Sequence, residues 1–125
     1  MRTLTQYINE WGGEKMRKPS MKDQLEMLRK ALNDNKDLDL AFEYDYFITD
    51  MIYASGDKEL EIVVASDEHA GKHLHINTVK DFIEAENNAV MKCKKIVFVE
   101  KYDEFYLEDT FVQDGKLYLQ IEQNK

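Results

Sequence analysis

Over residues 38–48 an apolar or aromatic side chain takes every second position without a break. Leu38, Leu40, Phe42, Tyr44, Tyr46 and Ile48 take every second place, with Asp37, Asp39, Ala41, Glu43, Asp45 and Phe47 around and between them. A period of two marks a strand with one face packed and the other in water. A helix over the same residues would scatter both sets around its circumference. The pattern predicts a strand here, either single or as two shorter ones broken near Asp45. As one strand it aims four carboxylates the same way, with about 6.6 Å between alternate side chains.

Ser55-Gly56-Asp57 then makes a turn. Residues 58–66 read as the returning strand, with Leu60, Ile62 and Val64 on one face and Glu59 and Glu61 on the other. The register stays open, because three pairings bury similar amounts.

The flanks supply helices and further strands. Thr3 and Gln6 have capping-box spacing, and Leu4, Tyr7, Ile8 and Trp11 share one face of a helix over residues 4–11. Ser20 and Asp23 open a second helix with Met21, Leu25, Leu28 and Leu32 at helical spacing. Residues 67–76 read as an irregular loop bending at Gly71. Asn77 or Thr78 caps a third helix to about Lys92, with Val79, Phe82, Ile83 and Val90 inward and a weak middle at Asn87-Asn88. Residues 96–99 are apolar throughout, as in an internal strand.

Residues 105–112 and 116–122 form a hairpin. A two-residue Asp114-Gly115 loop sets Phe111 opposite Tyr118 and Leu107 opposite Glu122, mixing the faces. A three-residue loop over Gln113-Asp114-Gly115 pairs Phe111 with Leu117 and Leu107 with Ile121, and is the expectation. It leaves Asp109 on the apolar face opposite Leu119. The expected fold is α+β in the order ααββαβββ, with an antiparallel sheet of about five strands. At 125 residues the chain is one domain, helical and mildly basic over residues 1–36 and acidic and β-rich over 37–125.

Charge narrows the function. Net charge is −8, and residues 37–70 hold ten acidic side chains against Lys58 alone. Such a balance argues against direct nucleic-acid binding, where phosphates must be neutralised by Lys and Arg. The single cysteine, Cys93, forms no internal disulfide and fits a reducing compartment. No apolar run reaches membrane-spanning length and the first residues carry no signal-peptide core, so a cytoplasmic location is expected.

His69, His73 and His75 fall within seven residues beside Asp67 and Glu68. Zinc needs three or four converging N, S or O ligands. Gly71 interrupts any helix that would align them, and His73 and His75 alternate with Leu74 and Ile76 as exposed strand residues do. No metal, cofactor or catalytic residue is therefore expected. There is also no phosphate-cradling glycine loop and no nucleophile elbow.

What remains is a concentrated acidic surface. Like charges grouped on one sheet face repel at a cost in stability, and Tyr44, Tyr46 and Tyr53 lie among them as interface tyrosines do. The expectation is a non-enzymatic binding protein that sets this surface on a basic, nucleic-acid-handling protein partner. In character it is like the small acidic anti-CRISPR and anti-restriction inhibitors of phages and mobile elements, without any shared motif. Asp37, Asp39, Glu43, Asp45, Glu59 and Glu61 would supply the field, with Asp57, Asp67 and Glu68 at its margins. The alternatives are an immunity or antitoxin protein for a basic nuclease, and a metal-dependent enzyme built on the histidine cluster. Oligomeric state is not legible.

Overall fold

Ser20 opens the first described helix as its spacing predicts: its hydroxyl accepts from the Asp23 N–H at 3.0 Å. The structure is a computed structural model and describes residues 18–66 and 74–124. This helix, α1 (Met21–Asp34), buries Leu25, Leu28 and Leu32. A second helix, α2 (Val79–Lys92), starts with a reciprocal capping box between Thr78 and Asp81. Its weak middle is also where the sequence places it. Ala85 leaves the helical region, and Glu86, Asn87 and Asn88 take positive φ. Asparagine tolerates that left-handed region better than most residues. The helix expected over residues 4–11 lies outside the described residues.

The strands are β1 (Asp39–Phe42), β2 (Phe47–Ala54), β3 (Glu59–Ala65), β4 (Lys95–Glu100), β5 (Asp103–Gln113) and β6 (Lys116–Gln123). They form one mixed sheet in the order β1-β6-β5-β4-β3-β2. The α+β class holds, but the order ααββαβββ with about five antiparallel strands does not. The described order is αβββαβββ, and β1/β6 and β3/β4 are parallel pairs. Two physical features account for the difference. A connection containing a helix, as α2 does, is long enough to cross over and return β4 parallel to β3. And the alternation over residues 38–48 is not one strand: it turns a corner at residues 43–46 and resumes at the opposite edge of the sheet.

That corner forces the sheet to curl. From Phe42 to Phe47 the chain spans at most about 18 Å when extended, whereas the first and last of six flat strands stand about 24 Å apart. The sheet is accordingly a half-barrel. Residues 74–78 run along both edges. The Leu74 N–H donates to Ile48 O on β2 at 3.0 Å, and Asn77 O accepts from the Leu40 N–H on β1 at 3.0 Å. Thr78 makes an isolated bridge to Asp39.

Both helices pack on one face of the sheet, α1 against β4 and β5, α2 against β1 and β2. Leu60, Ile62, Ile96, Phe98, Leu107 and Leu119 meet them there, all buried. Leu60, Ile62 and Val64 share this inner face as expected, in register with Tyr53, Met51 and Ile48 of β2. Arg29 ties the helices together by donating to Val90 O and Cys93 O at the end of α2, where unpaired carbonyls favour a cation.

The hairpin closes through the two-residue turn, not the three-residue one. Asp114 and Gly115 both have positive φ, 53° and 76°, and Phe111 pairs with Tyr118. A bulge between Leu107 and Asp109 then shifts the register by one, so Leu107 still meets Ile121. The bulge also carries Asp109 off the apolar face; it lies exposed opposite Gln120.

β4 and β5 pair only from Phe98↔Phe105 to Glu100↔Asp103, and the first turn of α1 enters where they part. Met21 Sδ accepts from the Ile96 N–H. Gln24 Oε1 accepts from the Leu107 N–H at 3.2 Å while its Nε2 donates to Pro19 O at 3.0 Å. Gln24 is 1% exposed. Gln24→Leu leaves a buried N–H without a partner, and is expected to lower unfolding free energy by about 1–3 kcal/mol in urea titrations. A neutral result would show that water or another group reaches Leu107.

Candidate acidic interface

The fold divides the acidic block. Asp37 precedes β1, Asp39 begins it opposite Lys116, and Glu43 and Asp45 lie at the corner after it. All four are exposed. Asp57 sits in the β2–β3 turn. Glu59 and Glu61 lie on the outer face of β3, Glu59 in register with Lys95 and Glu61 with Val97. Between β1 and β3 stand β6, β5 and β4. The expected row of four carboxylates on one strand is therefore corrected to a strand-start group, a corner group and a separate pair on β3. Asp67 and Glu68 lie outside the described residues.

A different carboxylate group forms around Glu43. The Glu43 N–H donates to Leu119 O, which seats the corner against β6. Glu108, on the β5 bulge, accepts a 2.7 Å hydrogen bond from Gln120 Nε2. Partial burial raises the Glu108 carboxyl above the usual carboxylate range, and the charges of Glu122, Asp109 and Glu43 raise it further. Tyr106, in register with Glu122, has its phenol raised by burial and then by Glu108 and Glu122. Lys18 lies 5.5 Å from the Tyr106 ring centre and donates to Asn124. Among the described residues the ion pairs are Lys22–Glu26 and Lys30–Asp34, both within α1. None reaches these strands.

Sequence reasoning missed Glu108 and Glu122, and singled out Asp109 only as a charge misplaced on the apolar face of the hairpin. The acidic balance of residues 102–125 was visible, but only the parallel β1/β6 pairing brings that segment beside Glu43.

This crowding has a pH signature. A carboxyl whose value is raised on folding opposes folding in its charged form. That cost is present above the folded value and fades as pH falls toward the unfolded value of about 4.3. Glu108→Gln keeps the acceptor for Gln120 and removes the charge. It is expected to stabilise the protein by about 0.5 kcal/mol at pH 7, with the gain vanishing near pH 4. Denaturant midpoints at the two pH values test this, and an equal gain at both would contradict it.

The corner also frames a cleft of about 310 Å³ lined in part by Tyr44, Asp45, Tyr46, His75 and Asn77. Tyr44 and Tyr46 meet edge to face at 6.5 Å, and Tyr46 meets Phe42 likewise at 6.3 Å. Burial raises the Tyr46 phenol, helped by the charge of Glu100 and a hydrogen bond to it. Glu100 also accepts from the Ser66 N–H and hydroxyl.

Of the histidine cluster, His69 and His73 lie outside the described residues, and His75 is exposed at the cleft. Among the described residues no group of three His, Cys, Asp or Glu side chains is placed to hold a metal ion. Cys93 is buried, and burial pushes its thiol up despite the nearby Arg29. No helix among them is long and apolar enough to cross a membrane. No family model, curated protein or solved structure matches the chain.

Proposed function

We propose that this is a non-enzymatic binding protein whose acidic surface occupies the basic, nucleic-acid-handling surface of a protein partner and inhibits it by imitating a nucleic-acid backbone. The observation that carries the reading is the crowding of Glu43, Glu108, Asp109 and Glu122 at the β1–β6–β5 edge, with no ion pair to them among the described residues. Mutual repulsion there works against folding, and a basic partner would relieve it. Asp37, Asp39 and Asp45 extend this field along β1 and the corner. Asp57, Glu59 and Glu61 contribute at longer range, from β3 and the turn before it.

Charge of this kind chiefly speeds association and sets specificity. Binding is therefore expected to weaken as ionic strength rises from about 0.1 to 1 M, where the screening length falls from about 10 to 3 Å. Affinity unchanged across that range would remove the proposal's basis. An immunity or antitoxin protein would present the same surface to a basic nuclease, and a nuclease gene beside this one would favour that version. A metal-dependent enzyme using Asp67, Glu68, His69, His73 and His75 would instead purify with stoichiometric zinc, manganese or iron.

A further inference from the structure

Tyr44 carries a large ring at 59% exposure, on the short corner that joins the two edges of the sheet. It does not lie flat on an apolar neighbour. It stands edge to face with Tyr46, their planes 87° apart, and Tyr46 stands in turn at 84° to Phe42. The three rings border one cleft, together with Asp45, His75 and Asn77. Its volume of about 310 Å³ falls at the small end of ligand clefts, which run from roughly 300 Å³ upward.

The chemistry of these walls selects a cation. Aromatic faces carry the negative part of the ring quadrupole and attract positive charge. Asp45 adds a negative charge, and Glu43 stands two residues before it on the same exposed corner. A flat guanidinium uses both features at once, stacking on a tyrosine while donating paired hydrogen bonds to a carboxylate. An ammonium offers only a point charge and is more strongly held by water.

We infer that the cleft at the β1–β2 corner is a pocket for an arginine side chain presented by a basic protein partner, with Tyr44 stacking on the guanidinium and Asp45 accepting its hydrogen bonds. This rests on the reading of the protein as an acidic binder and names the side chain it selects. The pocket fixes the partner's position on a surface whose carboxylates otherwise attract without orientation.

The test is a titration of the ¹⁵N-labelled full chain with Nα-acetyl-arginine amide, Nα-acetyl-lysine amide and the uncharged Nα-acetyl-citrulline amide, followed by backbone amide shifts. The expected result is saturable shifts at residues 44–46 and 74–77 with the arginine compound, and binding about 3- to 10-fold weaker with the lysine one. Tyr44→Ala should weaken arginine binding at least about 3-fold and Tyr44→Phe should keep most of it; Asp45→Asn should weaken it as well. Tyr44 is exposed enough for these variants to stay folded. Equal binding of citrulline, or unsaturable shifts spread over Glu59, Glu61, Glu108 and Glu122, would overturn the pocket.

Capture of a basic partner separates this outcome from the broader reading. If wild-type and Tyr44→Ala baits retain the same partner in a salt-dependent way while the arginine compound does not saturate, the pocket alone fails. If the compound saturates the cleft but no basic partner is retained, the pocket stands and the inhibitor reading fails.

Discussion

Phe98→Ala is expected to cost about 3–5 kcal/mol of unfolding free energy, among the largest single-residue effects on stability in this fold. Phe98 is fully buried at the centre of the sheet, on β4 between β3 and β5. Its ring meets Phe42 edge-on at 6.0 Å, and Phe42 is the last residue of β1 before the corner. Truncation therefore empties the middle of the core and unties the point from which the chain crosses to the opposite edge. A domain of this size holds only about 5–15 kcal/mol in total, so the variant approaches the limit of folding at ambient temperature. Tyr102, fully exposed in the β4–β5 turn, is the matched control: Tyr102→Ala should stay within about 0.5 kcal/mol of the parent. Urea unfolding followed by circular dichroism reads both. A cost below about 1 kcal/mol at Phe98 would mean that β4 is not the core strand it is described to be.

The second large effect concerns partner binding. Changing Glu43, Glu108 and Glu122 together to lysine moves the net charge from −8 to −2, since each substitution adds two. Changing Asp57, Glu59 and Glu61 to lysine gives the same net charge but acts on β3 and the turn before it. If placement matters, the first variant should bind its partner at least about 100-fold more weakly, and the second within about tenfold of the parent. Net charge alone predicts equal losses. The stability of the first variant serves as an internal check. Three lysines together repel as the carboxylates do and deprive Gln120 of its acceptor. Its urea midpoint is therefore measured beside its affinity, and lost binding counts only where that midpoint stays close to the parent's.

Local chemistry was legible in this sequence, and long-range geometry was not. Ser20 with Asp23 and Thr78 with Asp81 act within one helical turn. The first cap stands where spacing puts it, and the second falls on one of the two residues, Asn77 and Thr78, that the sequence offered. The interruption at Asn87-Asn88 is likewise local. A break near Asp45 was one of the two readings the alternation allowed, and it is the one found. That the chain crosses there to the opposite edge of the sheet was hidden, because Tyr44 and Tyr46 continue the period of two past the end of β1. In the structure those rings meet each other edge to face and never rejoin the same strand. The hairpin shows the same limit: the Asp114-Gly115 turn is a local preference, but the bulge after Leu107 that reconciles it with the core depends on β6. Gln24 gave no signal either, since a polar residue on α1 looks solvated until β4 and β5 are seen to part beside it. At the acidic surface Glu43 came from the conspicuous block, whereas Glu108 and Glu122 reached it only through pairing between distant strands.

The most direct measurement is affinity capture from the native host, or from its prey, using the parent and the Glu43→Lys, Glu108→Lys, Glu122→Lys variant as baits, with mass spectrometry of what each retains. The account predicts a basic nucleic-acid-handling protein on the parent bait alone, released as salt rises. The same proteins on both baits, or retention indifferent to salt, would contradict it.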